Sequence, residues 1–466
     1  MYLDVQERTI VALSTPVGTG GIAVIRLSGP EAIRIAQKAF VSARGKRLDQ
    51  VHSHRAVFGQ MQDQGEVIDE VLVLVMRGPH SFTGEDTVEI NCHGGMYICQ
   101  RIIEALIACG ASMAEPGEFS KRAFLNGRMD LSEAEAVMDM ISAQTAYSLK
   151  AAVNQLSGGF SRKVETLRQQ LIDTIVAIEV NIDYPEYEDL PEITDDSIIQ
   201  NCRQVLDQID ELLATAESGR MLKQGVKVAI VGQPNVGKSS LLNLLLREQR
   251  AIVTDVAGTT RDVLEERLDL GGIPLRIMDT AGIRKTDDIV EKIGVERALE
   301  AAKESDLVLL VLDAGRAVTP EELELLELVR KRPYLLVLNK TDLSENGVAP
   351  EPVTQLIGEP ELERVLVSMS AKQETGVAEL TDKVKELFFA GDVLTSDKPL
   401  VTNLRQKEAL LRARQALQMV LASQQREQDL LVIDIRQACD ALSDAQGRST
   451  QEDVVNEIFS RFCLGK

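Results

Sequence analysis

Positive charge is scarce in this chain. Its 466 residues include 51 Lys and Arg against 72 Asp and Glu, which gives a formal net charge of -21 at pH 7. Because the nucleic-acid backbone is itself anionic, this balance argues against general coating of nucleic acid, and we expect any RNA contact to be confined to a local basic groove.

Other absences narrow the class of protein further. The six cysteines form no C-x-x-C pair, there is no secretory signal, and no apolar run approaches the length of a membrane span. We therefore expect a cytoplasmic protein with reduced thiols and no membrane contact. The length predicts about two to four domains.

The clearest positive signal is the stretch 226–246, VKVAIVGQPNVGKSSLLNLLL, which reads as a strand, a loop and a helix. Gly232, Gly237, Lys238 and Ser239 complete the pattern G-x-x-x-x-G-K-[ST]. In such a loop backbone N–H groups cradle phosphates, Lys238 reaches the β and γ oxygens, and Ser239 binds Mg²⁺. Glycine is required because the backbone must approach an anion closely.

Two later motifs predict which nucleotide is bound. Asn339-Lys340-Thr341-Asp342 follows the apolar run YLLVL, and the Asp342 carboxylate can accept hydrogen bonds from guanine N1–H and its exocyclic amine. Ser370-Ala371-Lys372 follows RVLVSM and is predicted to close over the base. Adenine lacks that pair of donors, so the site is predicted to bind GTP, and the alternative of an unspecified ATP-binding module is disfavoured.

Two further stretches are predicted to lie near the γ-phosphate and Mg²⁺. Asp279-Thr280-Ala281-Gly282 follows an apolar run, so Asp279 is expected at a strand end, holding the Mg²⁺ shell through water. The polar stretch 258–262, GTTRD, suits a mobile switch, with Thr260 as the second Mg²⁺ ligand. The residue after Gly282 is Ile283, where Ras-like GTPases have a water-orienting glutamine, so another group must orient the water.

The apolar patterns divide the rest of the chain into an α/β segment and helical segments. Residues 1–123 read as a small α/β unit with strands at 22–27, 71–76 and 88–90 and helices at 32–40 and 97–109. Within it, Cys92 and His93 are more typical of a turn with a hydrogen-bonded histidine than of a metal site.

Helical patterns flank the GTPase segment on both sides. Before it they cover 131–156, 161–181 and 197–221, with Ser132 and Glu135 as a possible capping box, and an acidic, proline-bearing connection interrupts them. After it they cover 400–421, 429–442 and 450–462. We therefore predict one helical domain with the GTPase inserted into it.

With these residues in view, the whole chain resembles the MnmE (TrmE) family of tRNA modification GTPases, within the TrmE-Era-EngA-YihA-Septin-like P-loop GTPases. The resemblance rests on TPVGTGGIAVIRLSG, SFTGEDTVEINCHGG, PGEFSKRAFLNGRMDLSEAEAV, IDYPEYED, the motifs above and the terminal FCLGK. It implies a multidomain fold of α/β and all-α parts: an N-terminal α/β dimerisation domain, a discontinuous helical domain and an inserted Ras-like P-loop G domain. The expected boundaries are 1–123, 124–222, 223–389 and 390–466.

The resemblance implies two sets of site residues beyond the motifs. A 5-formyl-tetrahydrofolate-type one-carbon carrier is expected to bind at Arg26, Glu89, Arg128 and Lys466, since Arg or Lys can pair with glutamyl carboxylates and a carboxylate can accept pterin N–H donors. K⁺ is expected at Asn235, Thr254, Val256 and Thr259, in the place of an arginine finger.

The full set of GTP-binding residues then expected is Asn235, Val236, Gly237, Lys238, Ser239, Ser240, Thr254, Asp255, Val256, Ala257, Gly258, Thr259, Thr260, Asp279, Thr280, Ala281, Gly282, Asn339, Lys340, Asp342, Ser370, Ala371 and Lys372. The catalytic residues expected are Lys238, Glu291, which would orient the water, and Cys463. For Cys463 we favour a positioning or redox role, with Lys466 as one group able to lower its pKa.

The resemblance also implies the reaction and the partners. A homodimer formed through the N-terminal domain is expected to work with the flavoprotein MnmG, as a heterotetramer, to install aminomethyl or carboxymethylaminomethyl groups at C5 of the wobble uridine of certain tRNAs. The alternative is a ribosome-assembly or signalling GTPase without tRNA chemistry. The terminal FCLGK and the front domain disfavour that alternative.

Overall fold

The structure is a computed structural model that describes residues 8–183, 194–247, 266–278, 302–343, 350–389, 393–394, 397–422, 428–448, 452–460, 462 and 465. The chain divides into two compact units. One comprises Met1–Met138 with Ser443–Lys466, and the other comprises Asp139–Leu442. No helix in the described ranges is long and apolar enough to cross a membrane.

A seven-stranded sheet forms the centre of the first unit. Its strands are β1 (Ile10–Leu13), β2 (Gly20–Ser28), β3 (Phe40–Ser42), β4 (Arg55–Asp63), β5 (Glu66–Met76), β6 (Thr87–Gly94) and β7 (Ser112–Met113), in the order β3-β4-β5-β6-β2-β1-β7. All neighbours are antiparallel except β1 and β7. Ala23, Ile25 and Leu27 of β2 are buried and alternate with more exposed residues, as expected for a strand with one face on a core.

Three helices accompany this sheet: α1 (Ala32–Ala39), α2 (Met96–Ala108) and α3 (Glu118–Leu125). Ile33 and Ile35 of α1 and Ile102 and Leu106 of α2 join the same hydrophobic core as the buried strand residues. The strands and helices predicted for 1–123 are thus confirmed. His93 lies on β6 and not in a turn, and its Nδ1 is 2.7 Å from Asp69 Oδ1.

The helical pattern predicted for 131–156 is two helices, α4 (Leu131–Ser142) and α5 (Ala146–Leu156). Thr145 is the N-cap of α5: its backbone is extended, and its Oγ1 accepts the Ser148 N–H at 3.2 Å. The predicted capping box is wrong. Asp130 Oδ1 accepts the Glu133 N–H, and Glu133 Oε2 accepts the Asp130 N–H, both at 2.8 Å. The capping pair therefore lies two residues earlier, since the cap must precede the first turn.

Three more helices precede the GTPase segment: α6 (Gly159–Asp183), α7 (Asp195–Ala214) and α8 (Ala216–Gln224). They agree with the predicted helices at 161–181 and 197–221, apart from a break at Thr215. Most of the predicted acidic connection lies outside the described residues.

A second sheet carries the GTPase motifs. Its strands are β8 (Val226–Val231), β9 (Glu266–Leu270), β10 (Ile273–Ile277), β11 (Leu307–Asp313), β12 (Tyr334–Asn339) and β13 (Leu366–Ser368), in the order β13-β12-β11-β8-β10-β9. The helices among them are α9 (Lys238–Arg247), α10 (Pro320–Val329), α11 (Glu351–Ile357), α12 (Glu359–Val365) and α13 (Val377–Phe388). Only the β9–β10 pair is antiparallel. In such a mostly parallel sheet, ligands bind at the carboxyl ends of the strands.

Three helices follow this sheet: α14 (Leu404–Ala422), α15 (Gln428–Gln446) and α16 (Glu452–Ser460). Residues just before α14 meet helices that precede the sheet. Thr402 Oγ1 donates to Gln155 Oε1 at 2.6 Å, and a Cβ built on Gly219 would lie 2.2 Å from Val401 O. Helices from both sides of the GTPase segment therefore pack together, as the predicted insertion requires.

The last helix belongs to the first unit. The Phe459 ring of α16 lies 6.1 Å from that of Phe124 at the end of α3, and Phe462 lies 5.0 Å from Phe459. Near the chain end, Ser14 Oγ donates to Gly465 O at 3.0 Å. The compact units therefore group Ser443–Lys466 with the N-terminal residues, whereas the division into 1–123, 124–222, 223–389 and 390–466 stays a prediction.

Candidate functional site

The predicted phosphate loop lies between β8 and α9. Its backbone is left-handed at Asn235, with φ of 64°, and at Gly237, with φ of 98°. A Cβ at Gly237 would lie 2.2 Å from Asn339 Nδ2, so only glycine fits there. Helix α9 begins directly after the loop, at Lys238, and a helix N-terminus carries unpaired N–H groups and a partial positive charge. The loop thus has the form of an anion cradle.

Lys238 is folded back onto this loop. Its Nζ donates to the carbonyl oxygens of Gly232 and Gln233, both at 2.8 Å. Burial lowers the pKa of Lys238. A partly desolvated ammonium held only by neutral carbonyls has a strong tendency to pair with an anion, which is the role predicted for it beside the phosphates.

Asn339 joins the loop to the base side of the site. It is 1% exposed at the end of β12. Its Nδ2 donates to Val236 O at 2.9 Å, and its Oδ1 accepts the Ala371 N–H at 3.1 Å. Three predicted segments, separated by 103 and 32 residues along the chain, therefore meet on one amide side chain.

Lys340 connects the phosphate loop to Asp313. Its Nζ donates to Asn235 O and to Asp313 Oδ2, both at 2.7 Å. Burial alone would raise the pKa of Asp313, but the hydrogen bonds from Lys340 and from the Gly315 N–H outweigh it, so the pKa lies below its usual value. Asp313 is therefore ionised at neutral pH and holds Lys340 against the loop.

Asp342, the residue predicted to read the base, is held by Ser370. Its Oδ1 accepts the Ser370 Oγ–H at 2.6 Å, and Ser370 Oγ also accepts the Gln373 N–H at 3.2 Å. Ser370 is fully buried. This chain of hydrogen bonds fixes the orientation of the Asp342 carboxylate. Lys372 is exposed.

Of the predicted nucleotide residues that the structure describes, the contacts above link Asn339, Lys340 and Ala371 to the loop, and Asp342 to Ser370. Ser239 and Ser240 lie in the first turn of α9. The remaining predicted residues lie outside the described ranges: Thr254, Asp255, Val256, Ala257, Gly258, Thr259, Thr260, Asp279, Thr280, Ala281, Gly282 and Glu291.

Arg26 and Glu89 form a pair in the first unit. They are directly opposite each other on β2 and β6. Glu89 Oε1 accepts from Arg26 Nε at 2.9 Å and lies 2.8 Å from Nη2. The guanidinium also lies 5.2 Å from the centre of the Phe82 ring and 5.7 Å from that of Phe119. Stacked rings and charged hydrogen-bonding groups together suit a planar heterocycle that carries carboxylates.

Arg128 is held close to the segment that contains Phe82. Its Nε donates to Ser81 O at 3.3 Å, and Ser81 precedes the Phe82 that stacks on Arg26. Arg26, Glu89 and Arg128 therefore share one region. Lys466 and Cys463 lie outside the described residues.

Sequence reasoning missed several supporting residues. Asp313 ends the apolar run LVLLVLD, so its place at a strand end could have been read from the sequence. Phe82 stands in the quoted stretch SFTGEDTVEINCHGG, but its stacking on Arg26 depends on strand register. The same holds for Ser370, whose hydrogen bond to Asp342 is not visible in either motif.

Comparisons with known proteins find matches over nearly the whole chain. The family model described as "MnmE helical domain" matches residues 131–463, and that described as "GTP-binding protein TrmE N-terminus" matches residues 9–128. A protein from Listeria welshimeri named "tRNA modification GTPase MnmE" is 47% identical over 460 residues, covering 98% of this chain and 99% of the relative. One of the same name from Bacillus subtilis is 44% identical over 462 residues, covering 98% and 100%.

Two solved structures are similar to part of this chain. The G domain of the Thermotoga maritima FeoB iron transporter is 26% identical, covers 34% of this chain and 97% of its own, and gives a TM-score of 0.24. An Era variant from Aquifex aeolicus is 29% identical, covers 43% of this chain and 68% of its own, and gives a TM-score of 0.26.

Proposed function

The chain belongs to the MnmE family of tRNA modification GTPases, and from this premise we propose that it binds and hydrolyses GTP and uses that hydrolysis in the modification of tRNA. The observation that supports GTP most directly is the joint arrangement of the phosphate loop, Asn339 and the Asp342–Ser370 pair. It supports a carboxylate at the base side and a helix N-terminus at the phosphate side.

For hydrolysis, we assign the phosphates to the loop and Lys238. Lys238 would exchange the two carbonyl oxygens it now contacts for β and γ oxygens. Ser239 and Thr260 would hold Mg²⁺, which offsets charge on the phosphates. Glu291 would orient the attacking water, because the position after Gly282 is isoleucine.

We also propose that K⁺ takes the place of an arginine finger. Asn235, with Thr254, Val256 and Thr259, would hold the ion. The left-handed backbone and the Lys340 hydrogen bond to its carbonyl hold Asn235 in the loop, and the residue is exposed, which supports this assignment. A cation there would offset charge that develops on the β,γ-bridging oxygen.

For the tRNA reaction, we propose that Arg26, Glu89, Arg128 and Lys466 hold a folate of the 5-formyl-tetrahydrofolate type, which supplies a one-carbon unit. The substrate would be the wobble uridine, modified at C5 together with the flavoprotein MnmG. Cys463 would position or support this step, and a homodimer would form through residues 1–123. The Arg26–Glu89 pair and the Phe82 and Phe119 rings support the folate assignment.

The function is tested by mass spectrometry of tRNA nucleosides from cells whose only copy of the gene encodes wild-type protein or Lys238→Ala. Because the alanine removes the charge that pairs with the phosphates, GTP hydrolysis should fall by roughly a hundredfold or more. The aminomethyl-type groups at wobble-uridine C5 should then be lost.

A matched control is Lys331→Ala, which removes an exposed lysine of the same G domain. It should leave both hydrolysis and the nucleosides unchanged. If Lys238→Ala folds and is inactive in hydrolysis, yet the nucleosides stay modified, the ribosome-assembly or signalling alternative is favoured instead.

A further inference from the structure

The chain between β3 and the start of β4, in the first unit, is strongly basic. Residues 44–55, RGKRLDQVHSHR, contain four Lys or Arg and one Asp, in a chain whose Asp and Glu outnumber Lys and Arg by 72 to 51. Arg44, Lys46, Arg47 and Arg55 are all exposed. We refer to residues 44–55 as the basic segment, because its charge is opposite to that of the chain as a whole.

Most of these charges are not balanced within the protein. Arg47 Nη2 lies 2.7 Å from Asp49 Oδ2, so those two charges offset each other. Arg44, Lys46 and Arg55 make no ion pair with any carboxylate in the part of the chain that the structure describes. Since exposed cations without partners attract anions, the basic segment favours a partner with several negative charges.

Another stretch of the chain is as rich in cations but differs in its pairing. Residues 405–414 of α14 also contain four Lys or Arg against one acidic residue. There Arg414 Nη1 lies 3.6 Å from Asp210 Oδ1, and Arg405 and Arg412 have interactions of their own. The basic segment is therefore the more open of the two to an anion from outside the protein.

Arg77, just after β5, anchors the basic segment to the sheet. Its Nη2 donates to Asp49 O at 2.8 Å, and its backbone N–H donates to Ser53 Oγ at 2.9 Å. Leu48 and Val51 are buried in the core of the same sheet. The side chain of Arg77 donates only to neutral carbonyl oxygens, so its charge adds to that of the segment. Cations on an anchored backbone lose less freedom on binding than those of a flexible tail.

The strand register places the basic segment near the proposed folate site. Arg26 of β2 is opposite Glu89 of β6, and Glu89 is in turn opposite Leu74 of β5. Leu74 is opposite Ala56 of β4, the residue after Arg55. Three strand spacings of about 4.8 Å put the start of β4 about 14 Å from Arg26.

We propose that the basic segment, together with Arg77, binds the phosphate backbone of the anticodon arm of tRNA. This inference rests on the proposed function, in which the wobble uridine must reach a one-carbon unit held by Arg26 and Glu89. At about 3.4 Å per stacked nucleotide, a distance of about 14 Å corresponds to about four nucleotides. The surface therefore holds nucleotides that flank the uridine. Backbone contacts fix position without reading sequence, which suits an enzyme that serves several tRNAs.

Binding of the full chain to a labelled, unmodified anticodon stem-loop RNA with uridine at the wobble position tests this surface. Fluorescence anisotropy gives the affinity over a series of NaCl concentrations. The double variant Arg44→Gln/Lys46→Gln loses two phosphate contacts, so its affinity at about 0.1 M salt should fall about tenfold or more. Its slope of log affinity against log salt should become shallower by about 1.4 to 1.8, and that of Arg55→Gln by about half as much.

Arg203→Gln/Lys331→Gln removes two exposed cations from the second unit and is the matched control. It should bind the stem-loop with the affinity and salt slope of the wild type. The basic-segment variants should keep the Tm of the wild type, because the side chains that they replace are exposed and make no ion pair within the described residues.

An unchanged affinity and salt slope in Arg44→Gln/Lys46→Gln would overturn the proposal, and so would a wild type that does not bind the stem-loop. A loss that appears with whole tRNA but not with the stem-loop would place the contact outside the anticodon arm and would also overturn it. Vesicles of phosphatidylserine and phosphatidylcholine are a second probe. Lost vesicle binding with intact RNA binding would assign the basic segment to a membrane surface instead.

Titration with 5-formyl-tetrahydrofolate separates this inference from the folate assignment. Arg44→Gln/Lys46→Gln should bind the folate as the wild type does, whereas Arg26→Gln should not. Lost folate binding in the double variant would contradict a separate RNA contact. Unchanged folate binding by Arg26→Gln would count against the folate site alone and would leave the RNA result to be judged by its own salt slope.

Discussion

Among single residues, Asp342 shows how a neighbouring side chain completes a motif. The carboxylate that we propose reads guanine is held by the hydroxyl of Ser370, which is buried and comes from a different strand end. Because the orientation is fixed before the base arrives, less side-chain freedom is lost on binding. Selectivity for guanine should therefore depend on the charge of Asp342 and not only on its position.

Replacing Asp342 with Asn tests this dependence. One acceptor oxygen becomes an N–H donor, so the affinity for GDP should fall by roughly 10- to 150-fold, the range for a charge-assisted hydrogen bond. Xanthosine diphosphate has a carbonyl where guanine has its amine, so its affinity should rise. Competition binding with GDP, ADP and xanthosine diphosphate measures both effects.

Asp382→Asn, an exposed change on α13, is the matched control for that experiment. It should leave all three affinities unchanged. A preference for GDP over ADP that survives intact in Asp342→Asn would contradict the base-reading role.

Asn235 allows a test of the K⁺ assignment without backbone strain. Its φ is 64°, so alanine would be strained there, whereas glycine adopts this conformation freely. Asn235→Gly should retain nucleotide affinity but lose the stimulation of hydrolysis by K⁺ over Na⁺. Rates measured in the two salts at equal ionic strength give the answer.

Asn235→Asp keeps an oxygen ligand and tolerates the same backbone conformation, so K⁺ stimulation should persist in that variant. Equal stimulation in Asn235→Gly and the wild type would show that the ion is held elsewhere.

Between elements, Gly219 in α8 approaches the segment that follows the GTPase sheet closely. A Cβ there would lie 2.2 Å from Val401 O and 2.9 Å from Val401 C, both backbone atoms that cannot rotate away. The missing side chain is thus what allows the segment that precedes α14 to pack on α8.

Gly219→Ala should therefore destabilise the protein by about 1–3 kcal/mol through overpacking. In an unconstrained helix the same change stabilises by up to about 1 kcal/mol. The sign of the change in unfolding free energy, measured by urea denaturation, distinguishes the two cases, and a gain in stability would rule out the close packing.

The order and type of most elements could be predicted from the sequence, because they rest on local patterns. The strand at 226–231 and the helix at 238–247 followed from a short apolar run and a leucine-rich period. The capping box at Ser132 was misplaced because Asp130 and Glu133 offer an equally good pattern two residues earlier. Such choices depend on where the helix starts, which propensity does not determine.

Across the whole molecule, the site could be predicted only in part. Each nucleotide motif is contiguous, so its spacing is readable, but Asn339 contacting both Val236 and Ala371 depends on the sheet order. Arg26 and Glu89 came from the resemblance alone, because nothing local reveals the pairing of β2 with β6.

The helices on the two sides of the GTPase segment are synthesised at different times. Gln155 and Thr402, which bond directly, are 247 residues apart. At about 5–20 residues per second, a ribosome would need roughly 12 to 50 s to make the second after the first. All six strands of the GTPase sheet are made within that interval. The GTPase segment should therefore finish folding before the helices that follow it have been synthesised. Helices α5 to α8 should be the part of the nascent chain that most needs a chaperone.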